Sequence, residues 1–333
     1  MLPRLERAPS SSESLGIILP GVADKADMKN IVALKADIET QLDMDVIVHD
    51  IFSLPGVKEA REPDENGKPI YYCNWTPSEY MHSIQQLILE QVADGKTHVE
   101  LFGHSYGGDI ALLLGIIDGA LAGITIDPHG DNPVVRGTWG NIKGITVLMP
   151  TQFLASDRYN EERSFKHELA ILQYPRSARS HLRTYEQYPI NPNEPEEDKP
   201  DYYTVIIDQH VIESHVTPWR DLFMDSGRRI KTRVVNLAQS GLLKEIKART
   251  HIINSRNDTL YPTSFEDTKN TYLSLEGDGH KYTELNDIGH GYRAYPRQIQ
   301  VVGKAVVGGL VEFGVPRKDG YDLTTNSESL VAG

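Results

Sequence analysis

The 333 residues are 39% hydrophobic and 24% charged, the balance of a soluble globular chain, long enough for one large domain with an insertion. A formal net charge of −13 argues against nucleic acid or an anionic membrane surface as the main partner. The single cysteine, Cys73, rules out an intrachain disulfide and a cysteine-built zinc site. No stretch nears the roughly 18 apolar residues of a membrane span, and the polar start has no signal-peptide core, so a cytoplasmic location is expected.

In chain order, "LGIILPG" (15–21) reads as a short buried strand closed by Pro-Gly. Met28, Ile31, Leu34, Ile38 and Leu42 recur three to four apart, the period of an amphipathic helix. "DVIVHDIF" (45–52) is again strand-like. After a Gly/Pro-rich stretch, Thr76, Pro77 and Glu79 form a helix start: a capping hydroxyl, a proline in the first turn and a carboxylate three residues on. That helix runs through Ile84, Leu87, Ile88 and Val92. "THVELFG" (97–103) is the third strand and "GGDIALLLGIIDGAL" the helix after it. Either 123–128 ("GITIDP") or 144–150 ("GITVLMP") is the next strand, and the second is favoured because the stretch between them is turn-rich. Strands follow at 250–255 and 281–287, and a last helix at 296–314.

Strands alternating with helices imply βαβ crossovers, hence an α/β fold with a mostly parallel central sheet of about six strands covered on both faces. Between 151 and 240 the alternation breaks into an acidic, proline-containing stretch and many aromatics, among them Tyr159, Tyr174, Tyr202 and Trp219. An insertion of this size reads as a mainly helical cap over the carboxyl ends of the strands, where such sheets bind ligands. Its aromatics serve equally well as the cap's own core. The expected organisation is a core in two parts, 1–150 and 241–315, a cap at 151–240, and a solvated tail at 316–333.

The chemistry-bearing motif is Gly103-His104-Ser105-Tyr106-Gly107, set between a predicted strand and a predicted helix. A serine between glycines suits a turn too tight for side chains, at a helix start whose amides can hold an oxyanion. A serine hydroxyl needs a base, and the base needs an orienting group. Asp258, just past the strand 250–255, and His290, just past the strand 281–287, supply both in the order Ser…Asp…His. Singly, Asp258 also fits a helix cap and His290 a surface loop. Asp287 is the second choice of acid, and Asn257 and Asn286 are further rivals. An oxyanion hole would take one N–H from Tyr106 and one from Val22, in the turn after the first strand. His104 is expected to pack beneath the turn and His280 to lie at one.

Metal binding finds little support. His210 and His215 are five apart, off the helix-face spacing, and His167-Glu168 lacks the second histidine of H-E-x-x-H. Neither a phosphate-cradling G-x-x-x-x-G-K-S/T nor a strand-linked G-x-G-x-x-G occurs, so no cofactor is expected.

"GHSYGG", "NDTLYP" and "GHGY" resemble the α/β-hydrolase superfamily, in its lid-bearing, esterase- and lipase-like serine hydrolase branch, over roughly 15–150 and 241–314. The resemblance implies Ser105 as nucleophile, Asp258 as triad acid and His290 as general base. The reaction implied is cleavage of a small to medium, partly apolar carboxylic ester. A thioesterase, lactonase, C–C bond hydrolase, acyltransferase or non-enzymatic small-ligand-binding protein are the alternatives. The sequence leaves open whether the chain forms a homo-oligomer. Two departures stand out: Pro20-Gly21 where many relatives have His-Gly, and only fourteen residues ahead of the first strand.

Overall fold

The computed structural model describes residues 12–21, 24–54, 57–59, 70–73, 77–122, 125–126, 137–150, 204–207, 241–256, 264–286, 288 and 296–318. The first apolar run is β1 (Ser14–Leu19), buried throughout. It is followed by α1 (Lys29–Gln41) and β2 (Asp45–Val48). Met28 and Leu42, the outer members of the helical pattern, prove to be the two caps of α1. Short strands β3 (Val57–Glu59) and β4 (Ile70–Cys73) precede α2 (Pro77–Ala93), whose first residue is the proline expected there. Then come β5 (His98–His104), α3 (Tyr106–Ala120), β6 (Thr125–Ile126), β7 (Gly137–Thr138) and β8 (Ile142–Leu148). The chain continues with β9 (Thr204–Ile207), β10 (Arg249–Ser255), α4 (Ser264–Leu273), β11 (Lys281–Leu285) and α5 (Pro296–Glu312).

Six strands form one parallel sheet in the order β2-β1-β5-β8-β10-β11, as the alternation of strands and helices requires. Successive side chains point to opposite faces, so each strand feeds two cores. Leu15, Ile17, Leu101, Ile145, Val147 and Ile252 share one with α2 and α3 residues such as Ile84 and Ile110. Ile18, Val46, Phe102, Leu148 and Ile253 share the other with Ile31 and Ile38 of α1 and Val302 and Val306 of α5. Of the two candidates for the fourth strand, the second enters the sheet. Residues 125–126 instead pair antiparallel with 137–138 in a separate two-stranded ladder.

Of the stretch 151–240 the structure describes only β9, which is extended. It pairs in parallel with β4, and β4 pairs antiparallel with β3. The rest of that stretch, with its aromatics and its histidines, lies outside the described residues. The first residues of the expected tail are tied down: Pro316 O accepts from Asp43 N–H (2.9 Å), and Lys318 N–H donates to Gln41 O (3.1 Å). Among the described residues no helix is long and apolar enough to cross a membrane.

Candidate active site

Strand order reverses between β1 and β5. The chain leaves β1 to build β2 on one side, then fills β5, β8, β10 and β11 on the other. Loops leaving two such neighbours diverge and open a crevice at their carboxyl ends. Leu19 is in register with Gly103 there, and Ser105 is the first residue beyond β5.

Ser105 has φ 54° and ψ −125°. Among the described residues only it and Met149 combine a side chain with positive φ. A conformation of this kind costs about 1–3 kcal/mol and persists only where the surroundings impose it. Here they do. A Cβ on Gly103 would lie 2.5 Å from Gly108 Cα, and one on Gly107 would lie 2.6 Å from both Leu19 C and Pro20 O. Both motif glycines are thus required by close backbone approach. Ser105 N–H donates to Leu148 O (3.0 Å), and Ser105 O accepts from Gly108 N–H (2.9 Å), fixing the turn from both sides.

Ser105 is also the N-cap of α3, so the first-turn amides, that of Tyr106 foremost, belong to the positive end of a 15-residue helix. Tyr106's own ring is buried beneath. Burial, reinforced by the charge of Asp109, holds its phenol well above the usual tyrosine range. Its side chain is therefore a neutral packing element.

The turn after β1 abuts the serine: a Cβ on Gly21 would lie 3.3 Å from Ser105 Cβ. Asp24 closes this turn, its N–H donating to Gly21 O (2.9 Å). Its Oδ2 accepts from Gly21 N–H (3.3 Å) and pairs with His104 Nδ1 (3.0 Å). His104 does lie beneath the serine turn, as expected, but in an ion-pair geometry with a buried carboxylate. Farther along the loop, Asp50 Oδ2 accepts from Ala26 N–H (2.6 Å) and Asp50 Oδ1 from Ser53 N–H (3.0 Å). Burial raises the Asp50 carboxyl above its ordinary range, with those two amides opposing the rise.

The other strand exits are linked edge to edge. Met149 N–H donates to Ile253 O (2.9 Å) and Arg256 N–H to Leu285 O (3.3 Å). Ser255 Oγ donates to Ile288 O (2.6 Å), so the chain leaving β11 has already turned back over the end of β10. Ile288 is buried with Leu148, Met149 and Ile253.

Of the residues singled out from sequence, Ser105 and Tyr106 meet at this edge. Val22, Asp258 and His290 lie outside the described residues, as do the rivals Asn257 and Asp287, while Asn286 is exposed at the exit of β11. His280 does sit at the turn before β11: its Nδ1 accepts from Thr250 N–H (3.1 Å) and its Nε2 donates to Glu276 O (3.0 Å). Sequence reasoning missed Asp24 and Ser255. The signal for Asp24 was a carboxylate three residues after a strand-ending Pro-Gly, where it can close the turn.

No protein-family model and no curated protein matches the chain. Among solved structures, Est1E from Butyrivibrio proteoclasticus with ferulic acid bound is similar over 92% of each chain, at 13% identity and a TM-score of 0.52. MenH from S. aureus (16% identity, TM-score 0.46, 92% of this chain and 97% of that one) is also similar. So is a monoacylglycerol lipase of Paleococcus ferrophilus (14%, 0.44, 90% and 94%). A six-stranded parallel sheet covered on both faces, a strained serine between β5 and α3, and the likeness to Est1E agree: the chain has the α/β-hydrolase fold.

Proposed function

We propose that the chain is a serine hydrolase that cleaves a small to medium, partly apolar carboxylic ester through an acyl-enzyme. Ser105 Oγ attacks the carbonyl carbon while His290 takes its proton, and Asp258 orients and stabilises the imidazolium. The N–H groups of Tyr106 and Val22 hold the oxyanion. On collapse the leaving alkoxide takes the proton from His290. Water, deprotonated by the same histidine, then releases the acid and restores the serine. Residues 151–240 act as a cap over the crevice.

The observation that carries this reading is the backbone of Ser105. A glycine-like conformation imposed on a serine, at the reversal point of the sheet and on a helix N-terminus, is strain with a use. The contact of Ile288 with Ser255 supports it, since it brings the exit of β11 to the end of β10, on the same edge of the sheet as the serine. The likeness to Est1E, whose structure holds an aromatic carboxylic acid, supports an ester as substrate. The test is intact-mass analysis after a fluorophosphonate, with p-nitrophenyl esters of graded chain length alongside. A single adduct, absent from Ser105→Ala together with esterase turnover, is the expected result. No adduct, or an equal one on the variant, would move the small-ligand-binding reading to the front.

A further inference from the structure

We infer that Asp24 and His104 are positioning residues for the oxyanion side of the site, an inference that rests on the serine-hydrolase reading above. They join the two loops that border the crevice. His104 directly precedes Ser105, and Asp24 lies in the turn after β1. Both side chains are nearly buried, 8% and 5% exposed, and face each other at 3.0 Å. One oxygen, Asp24 Oδ2, serves two partners, His104 Nδ1 and the Gly21 amide. Since a carboxylate only accepts, His104 carries its proton on Nδ1.

Two consequences follow. The Gly21 amide is committed to Asp24, so it is not an oxyanion donor, and the donor from this loop must come later in the chain. The spacing between that loop and Ser105 is set by the His104 ring rather than by backbone pairing alone. Asp50 anchors the same loop at Ala26, and the Asp24–His104 couple ties it nearer the serine. A charge-bearing acceptor with two buried donors is a stiff link, and removing it takes the shared acceptor from both.

The experiment is steady-state hydrolysis of p-nitrophenyl butyrate and fluorophosphonate labelling by wild type, Asp24→Ala, Asp24→Asn and His104→Phe, with a melting curve for each. Loss of one oxyanion donor costs about 100-fold or more in kcat, so misplacing one through Asp24→Ala should cost about 10- to 100-fold, with KM within about twofold. The binding of a trifluoromethyl ketone should weaken in parallel. Asp24→Asn, whose single carbonyl oxygen can accept both bonds, should restore kcat to within about fivefold of wild type. If Asp24→Ala does not fold, His104→Phe carries the test, with an expected fall in kcat of about tenfold. A folded variant with unchanged kcat and labelling rate, or Asp24→Asn as impaired as Asp24→Ala, would overturn the inference. A wild-type protein that is not labelled at Ser105 would instead sink the hydrolase reading, and this role with it.

Discussion

Replacing Gly107 with alanine sets two effects against each other. Within a helix, alanine is favoured over glycine by about 1 kcal/mol, so α3 taken alone should gain. The surroundings say the opposite. The new methyl would overlap the Leu19 carbonyl oxygen and stand 2.6 Å from Pro20 O. Carbon–oxygen contacts settle near about 3.3–3.6 Å, so the methyl and the Leu19 oxygen must part by more than about 1 Å. Neither side yields easily, because both are backbone and β1 is held by β2 and β5 along its length. Overpacking of this kind costs about 1–3 kcal/mol, and the upper end applies where no side chain can rotate away. We therefore expect a net loss of about 2 kcal/mol in urea unfolding, or a fall in Tm of roughly 3 °C. A displacement near 1 Å at Ser105 should also slow fluorophosphonate labelling by about 100-fold. A variant at least as stable as wild type, labelled at the wild-type rate, would mean that helix propensity decides and that the tight turn is not sterically enforced.

Two adjacent glycines of α5 give a cleaner contrast. Gly308→Ala meets nothing within 4 Å and should stabilise by about 0.5–1 kcal/mol. Gly309→Ala sets a methyl 2.7 Å from His251 Cε1 and should destabilise by about 1–3 kcal/mol, so equal effects in equilibrium unfolding would contradict the packing described here. The ring Gly309 admits is itself a pH sensor of stability: burial, helped by the charge of Lys281, pushes His251 down to about 3 from 6.5. Between those values the unfolded chain takes up a proton that the folded one refuses. Stability contributed by His251 is thus complete above pH 6.5 and falls, by up to about 1.4 kcal/mol per pH unit, as pH drops toward 3. Unfolding measured at pH 7.5 and 5.0 should show this slope, and His251→Gln should remove the share that His251 contributes, leaving that of His49, which burial lowers to about 4. Asp118, near the end of α3, accepts from the N–H groups of Gly140, Asn141 and Ile142 at 2.8–3.2 Å. Asp118→Ala should cost about 3–5 kcal/mol and Asp118→Asn about half of that, with a loss below 1 kcal/mol for the alanine variant refuting the anchor.

The sheet was readable because each strand is a run of β-formers that pack on both faces, and the strongest signals were the ones with a steric cause. Pro77 opens α2 because its missing N–H is no loss there. Gly103 and Gly107 frame Ser105 because no Cβ fits. The Asp24–His104 couple left no such trace. Its partners are eighty positions apart and meet only because β1 and β5 are neighbours in the sheet, which a one-dimensional pattern does not state. The same holds for β4 and β9: "IYYC" and "TVII" are each too short to announce a partner, and their parallel pairing joins Ile70 to Thr204 across more than a hundred residues of chain. Asp258 and His290 were reached by chain order and strand ends, an argument about position that local periodicity cannot refine.

The sheet is drawn from two stretches of chain, one ending at Leu148 and the other beginning at Arg249. During synthesis that separation becomes a delay. About a hundred residues must be added between them, which takes roughly 5–20 s at about 5–20 residues per second. Throughout that interval β8 is an open edge with unpaired backbone on one side, the condition in which nascent sheets recruit wrong partners. The turn at Ser105 needs only β1, β5, β8 and α3, so it is complete while β10 is still being made. A chain emerging from the ribosome therefore carries the finished serine turn on four of the six strands, with an edge prone to aggregation until β10 arrives to close it.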